Sequence, residues 1–117
     1  MINGLDHIQL AIPAGAEDRQ RSFYVLLGFQ EVQKPEALVG RGGFWVRAGD
    51  VQVHFGVDAK FVPANKAHPA FVVSDLMGLT DRLVAAGHGV TWDTMLVDVR
   101  RCFVMDPVGN RIELIAQ

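Results

Sequence analysis

Of the residues that often organise a small domain from outside its core, this 117-residue chain has few. It holds one cysteine, Cys102. A lone thiol cannot close an internal disulfide, which fits a reducing compartment and leaves the fold to its hydrophobic core. Charge of one sign is scarce too. Eleven Lys and Arg stand against 13 Asp and Glu, mixed along the chain, for a net charge of −2. No basic block offers a nucleic-acid surface, and there is no acidic tail. No apolar run approaches the roughly 20 residues that span a bilayer, so no membrane partner is expected. The first residues, MINGLDHIQL, lack a basic segment followed by an apolar stretch. No secretion signal is read there, and the cytoplasm is the expected location.

What is present is an ordinary globular composition, 50% hydrophobic and 21% charged, enough for one core at this length. DHIQLAIP alternates: Ile8, Leu10 and Ile12 share one face, and His7, Gln9 and Ala11 share the other. It reads as a half-buried strand ended by Pro13. EDRQRSFYVLLGF reads as a helix, with Glu17 and Asp18 at its positive end, Gly28 as its stop, and Phe23, Leu26 and Leu27 as its buried stripe. FQEVQ, GFWVRAG and VQVHFGV follow as strands, with Gly49-Asp50 turning between the last two.

After the connector DAKFVPANK the order returns. HPAFVV is a strand, and SDLMGLTDRLVAAG is a helix capped by Ser74 or Asp75, with Leu76, Leu79 and Leu83 on one side. GVTWD, RCFVM and NRIELIA read as strands. The pattern is strand–helix–three strands, twice, with a period of about 60 residues. It predicts an α+β fold, one domain over 1–117 built from modules at about 1–57 and 67–117.

Polar residues recur with the pattern. His7 opens the first strand of one half, and His68 opens that of the other. His54 lies in the last strand of the first half, and Glu113 in that of the second. Counting from the turn glycines Gly49 and Gly109 pairs Glu113 with Val53 instead, so His54 matches only if the two turns differ in length. Alternation puts Gln52 with His54 on one face, and Arg111 and Ile115 with Glu113. If the apolar faces pack on helices, the polar faces look into a concavity. Two imidazoles and a carboxylate suit a divalent ion and leave positions open for substrate.

GLDHIQLAI, FYVLLGF, HPAFVV and DPVGNRIELI, in that order and across essentially the whole chain, resemble the vicinal oxygen chelate superfamily. It includes glyoxalase I, extradiol dioxygenases, fosfomycin-resistance thiol transferases and bleomycin-resistance proteins. The resemblance implies two βαβββ modules forming a cupped, incomplete eight-stranded barrel, usually in a homodimer. It also implies a metal held by His7, His68 and Glu113, with His54 or Gln52 completing the set and the ion being Fe, Mn, Zn, Ni or Co. The ion would hold neighbouring oxygens of a small-molecule substrate. Glu113 is the expected catalytic group, and lyase, isomerase, transferase and oxygenase chemistries all stay open. Metal-free sequestration of a drug or planar metabolite, as in bleomycin-resistance proteins, is the alternative. The loop WDTMLVDVRR carries no Lys, unlike the anion-holding loop of the thiol transferases, which argues against fosfomycin as substrate.

Gln9, Gln52, Arg101 and Phe103 are the expected substrate contacts. Trp45 and Trp92 read as packing residues. Cys102, opposite in face to Phe103, reads as a small buried side chain.

Overall fold

The computed structural model describes all residues, 1–117. They form two units, Met1–Val62 and Pro63–Gln117, divided within the predicted connector. Each unit is a βαβββ module, so the α+β reading holds.

The first contains β1 (Ile8–Ile12), α1 (Glu17–Leu26), β2 (Gln30–Val32), β3 (Phe44–Ala48) and β4 (Val51–Val57). Its sheet order is β1-β4-β3-β2. β1 runs parallel to β4, and the other pairs are antiparallel. The parallel pair needs a long crossover, which α1, β2 and β3 supply. Ile12, Phe44, Val46, Val53 and Phe55 are buried together with Phe23 and Tyr24 of α1. Tyr24 meets Phe55 edge-on at 4.6 Å between ring centroids, and Phe44 stacks on Phe55 at 4.5 Å. The expected stripe of α1 is shifted. Phe23 is buried, but Gln20 and Tyr24 join it, and Leu26 and Leu27 are only partly covered. Positions 20, 23 and 24 share a helical face, and the Tyr24 ring reaches further into the core than a leucine can.

The second contains β5 (Ala70–Val73), α2 (Leu76–Ala85), β6 (Val90–Asp93), β7 (Arg101–Met105) and β8 (Arg111–Ala116), ordered β5-β8-β7-β6. Of the two candidate caps, Asp75 is the one used: its Oδ1 accepts the Gly78 N–H at 2.9 Å. Leu76, Leu79 and Leu83 are buried as expected, with Cys102, Val104, Ile112 and Leu114 from the sheet. No helix in the chain is long and apolar enough to cross a membrane.

The register resolves the question of equivalent positions. Gln9 lies opposite His54, and Ala70 lies opposite Glu113. Trp45 lies opposite His54, and Phe103 lies opposite Glu113. His54 and Glu113 therefore hold the same place in their modules. The glycine count fails because the hairpins differ. β3 and β4 are joined by the two residues Gly49 and Asp50, whereas β7 and β8 are joined by Asp106–Asn110. The longer turn is built around the buried Asp106 carboxylate, whose Oδ1 accepts the N–H groups of Val108 (3.1 Å) and Asn110 (2.9 Å).

Two glycines separate conformation from space. Gly43 has φ +74° and Gly49 has φ +58°. A Cβ on Gly43 would run into the backbone carbonyl of Phe55, while one on Gly49 would meet nothing. Gly49→Ala should cost about 1–2 kcal/mol from backbone conformation alone. Gly43→Ala should cost clearly more by urea unfolding, because backbone must move as well. Equal losses would contradict the close approach at Phe55.

Candidate functional site

Alternation along the inner strands places one polar side chain per module where water barely reaches. In the first module, the face of β4 away from the Phe23–Tyr24 core carries Gln52, His54 and Gly56, flanked by Gln9 on β1 and Trp45 on β3. His54 is only 4% exposed. Its ring lies between two others. Trp45 stacks on it at 3.6 Å between centroids and 1° between planes, and His7 at 3.9 Å and 17°. Trp45 does pack, as read from sequence, but on the polar face. Burial first, and then the nearby charge of His7, lower the His54 pKa, against a smaller opposing pull from Asp6. The neutral ring is the form that binds metal. Its Nε2 lies 3.5 Å from Gln52 Oε1.

His7 sits at the mouth of β1. Its Nδ1 is 2.7 Å from Asp6 Oδ1. An ionised carboxylate only accepts, so Nδ1 carries the hydrogen and Nε2 is left as the donor atom for a ligand. The hydrogen bond from His7 is the main reason the Asp6 pKa is lowered. Sequence reading passed over Asp6; its signal was a carboxylate next to a strand-opening histidine.

The second module solves the same problem with charge. Glu113, on inner strand β8, is 5% exposed. Its Oε2 is 3.0 Å from His68 Nε2, and its Oε1 accepts from Arg101 Nη1 at 2.8 Å. Arg101 Nε donates in turn to Asp93 Oδ2 at 2.6 Å. Burial alone would raise the Glu113 pKa, but the hydrogen bonds and positive charge of Arg101 and His68 outweigh it and lower the value. The Glu113 N–H donates to the Pro69 carbonyl, which fixes β8 against the segment that carries His68.

His68 Nδ1 is 2.6 Å from the Lys66 carbonyl. Both ring nitrogens thus face oxygen atoms. A cation on Nε2 and Oε2 would take the place of the hydrogen between them. Ligand bonds of about 2.1 Å at a right angle span about 3.0 Å, and the donor separation here is 3.0 Å. The pair therefore fits one edge of a divalent ion's shell without rearrangement. Within each unit such donors come in twos, His7 with His54 and His68 with Glu113, and no group of three His, Cys, Asp or Glu gathers.

The expected substrate contacts divide. Gln9 is exposed and Gln52 is half-buried, both on the His54 face. Arg101 is engaged by Asp93 and Glu113. Phe103 lies opposite Glu113, with His68 edge-on at 5.5 Å and the Arg111 guanidinium 4.1 Å above its ring. Arg111 and Asp93 were not singled out from sequence as functional. Cys102 is fully buried, and burial pushes its thiol up to about 11, as expected of a packing residue and not a nucleophile.

Comparison with known proteins adds a family context. No family model matches the chain, and no curated protein does. Solved structures do. A protein from Bacillus anthracis described as of the glyoxalase family is 42% identical over 100% of this chain and 97% of its own, with a TM-score of 0.95. The fosfomycin resistance protein FosX from Listeria monocytogenes is 18% identical over 100% of this chain and 95% of its own, with a TM-score of 0.81. A bleomycin-binding protein in complex with bleomycin is 18% identical over 98% of this chain and 99% of its own, with a TM-score of 0.73. The last two share the fold.

The buried neutral imidazole has a pH signature. The His54 pKa is lower in the folded chain than its ordinary value. As pH falls below about 6.5, the unfolded chain takes up the proton first. Stability is therefore full above that pH and declines down to the folded value. Lowering pH from about 7.5 to about 5.5 should lower the wild-type Tm more than that of His54→Phe, which keeps a flat ring in the stack. Parallel losses would show that His54 is not held neutral by its surroundings. Glu113 acts in the same direction at lower pH. Its stabilisation is present above the ordinary carboxylate value and is lost as pH falls through its lowered folded value.

Proposed function

The chain belongs to the vicinal oxygen chelate superfamily, and from that premise we propose that it is a small metal-dependent, glyoxalase-like enzyme. His7, His68 and Glu113 hold a divalent ion of the Fe, Mn, Zn, Ni or Co class, with His54 or Gln52 as a further ligand or substrate contact. The carrying observation is the His68 Nε2–Glu113 Oε2 pair at 3.0 Å, each member fixed from behind by Lys66 O or Arg101. When bound, such an ion supplies a Lewis acid for neighbouring oxygens of a small oxygen-rich substrate.

The chain's own groups do the rest. Asp6 holds the His7 ring through Nδ1 and keeps Nε2 available. Arg101 keeps Glu113 ionised and oriented through Oε1, which leaves Oε2 available beside His68. Gln9 and Gln52 offer amide groups to substrate oxygens, and Phe103 offers a flat apolar wall. A homodimer and a cytoplasmic location belong to this same reading.

One observation favours a second reading. Arg101 and His68 already engage both Glu113 oxygens, and Trp45, His54 and His7 already form a stacked wall. Both arrangements are satisfied without an ion. That suits a metal-free protein that sequesters a planar drug or metabolite, and the bleomycin-binding protein has the same fold.

Elemental analysis of protein purified without a His-tag separates the two. The enzyme reading predicts close to one divalent ion per chain, lost in His68→Ala/Glu113→Ala. It also predicts an affinity about 10–100-fold weaker in Asp6→Asn, through loss of the ring-orienting carboxylate. Failure to bind Fe(II), Mn(II), Zn(II), Ni(II) or Co(II) would contradict it and leave the sequestering reading.

A further inference from the structure

A cavity of about 370 Å³ opens beside the His54 stack within the first module. Gln9, Trp45 and Gly56 form its sheet wall, and Lys34 and Arg41, from the loop between β2 and β3, complete it. Two features set it apart from a surface hollow. The first is charge. Its two ionisable lining residues are both cationic, and no carboxylate lines it. Lys34 Nζ spends one hydrogen on the Gly42 carbonyl at 2.8 Å, which anchors the ammonium and leaves two hydrogens for a ligand. Arg41 has neither a carboxylate partner nor a hydrogen bond to the chain and keeps its planar fork free.

The second feature is shape. Trp45 covers His54 and also lines the cavity, so a large flat apolar surface stands beside the two cations. Gly56 makes room for Gln9. A Cβ there would come within 2.5 Å of Gln9 Nε2, so the absence of a side chain lets the Gln9 amide lie across the strand at the cavity wall.

We propose that this cavity binds a small organic anion, a carboxylate or phosphate ester carried on a flat unsaturated ring. Lys34 and Arg41 hold the charge, Trp45 packs on the ring, and Gln9 donates to a ring substituent. The inference rests on the proposed ligand site only in direction: it names the class of molecule brought to the His54 face. It requires no metal ion.

The test uses full-length protein with Trp92→Phe, so that Trp45 is the sole indole, treated with chelator before use. The probes are benzoate, the neutral isostere benzamide, and acetate, read by Trp45 fluorescence. Benzoate should quench saturably and bind at least about tenfold tighter than benzamide or acetate, as expected for two charge-assisted contacts plus ring packing. Arg41→Gln/Lys34→Gln should bring benzoate down to the benzamide level. Gly56→Ala, which displaces the flexible end of Gln9, should weaken 4-hydroxybenzoate, whose ring substituent Gln9 would meet, more than unsubstituted benzoate, while leaving Tm within a few degrees of its parent. Equal affinity for benzoate and benzamide, or benzoate affinity unchanged in the double variant, overturns the proposal. Because the protein is metal-stripped, these outcomes are independent of the elemental analysis. Benzoate binding without any metal uptake would sink the enzyme reading and leave this one standing.

Discussion

An ionisable side chain on an inner strand, cut off from water, must find its partners inside the protein or lose its charge. That constraint shapes both modules. β4 and β8 are each flanked by two strands, so a residue on them has neighbours on both sides. Opposite the core face, each carries one such residue at the same register position, His54 and Glu113. The two halves meet the same constraint by different chemistry. Histidine gives up its charge and is covered by rings. Glutamate keeps its charge and gathers a guanidinium and an imidazole.

The difference bears on what each module can hold. Glu113 Oε2 and His68 Nε2 stand 3.0 Å apart, held by Arg101, Asp93 and the Lys66 carbonyl. Such backing groups stop ligand side chains from wandering, and they are as much a part of a metal centre as the ligands. The first module offers His7 in the position equivalent to His68, backed by Asp6, but surrounds His54 with flat surfaces. Its adjoining cavity is cationic where the second module's polar centre is rich in carboxylates. The two modules thus differ in the charge of their polar groups: a carboxylate–imidazole pair in one and two cations beside a flat ring in the other. The same fold serves several chemistries, so it is the named atoms, not the fold, that carry this reading.

Much of this was legible in the sequence because alternation and helical spacing are local. Ile8, Leu10 and Ile12 against His7 and Gln9, and the leucines of α2, announce their faces directly. The repeat alone pairs His7 with His68. What was hidden depended on neighbours distant in the chain. The repeat suggested the equivalence of His54 and Glu113, but the unequal hairpins it requires were not visible: the five-residue turn is built around the Asp106 carboxylate, a contact no periodicity reveals. Arg101 was read as facing substrate because its strand face was correctly assigned. That Asp93 and Glu113 both reach it is a matter of side-chain geometry across three strands. Trp45 as a cover for His54, and Asp6 as the partner of His7, likewise needed ring and rotamer positions.

The proposed metal site requires His7 and His68 to bind one ion through Nε2 together with Glu113. Imidazole nitrogen NMR during Mn(II) titration addresses it atom by atom, since a paramagnetic ion broadens only the nuclei it approaches. The metal reading predicts that His7 and His68 Nε2 resonances vanish at well under one equivalent, while those of His88 stay sharp. Resonances that all survive past one equivalent, or His88 fading in step with the others, would contradict it.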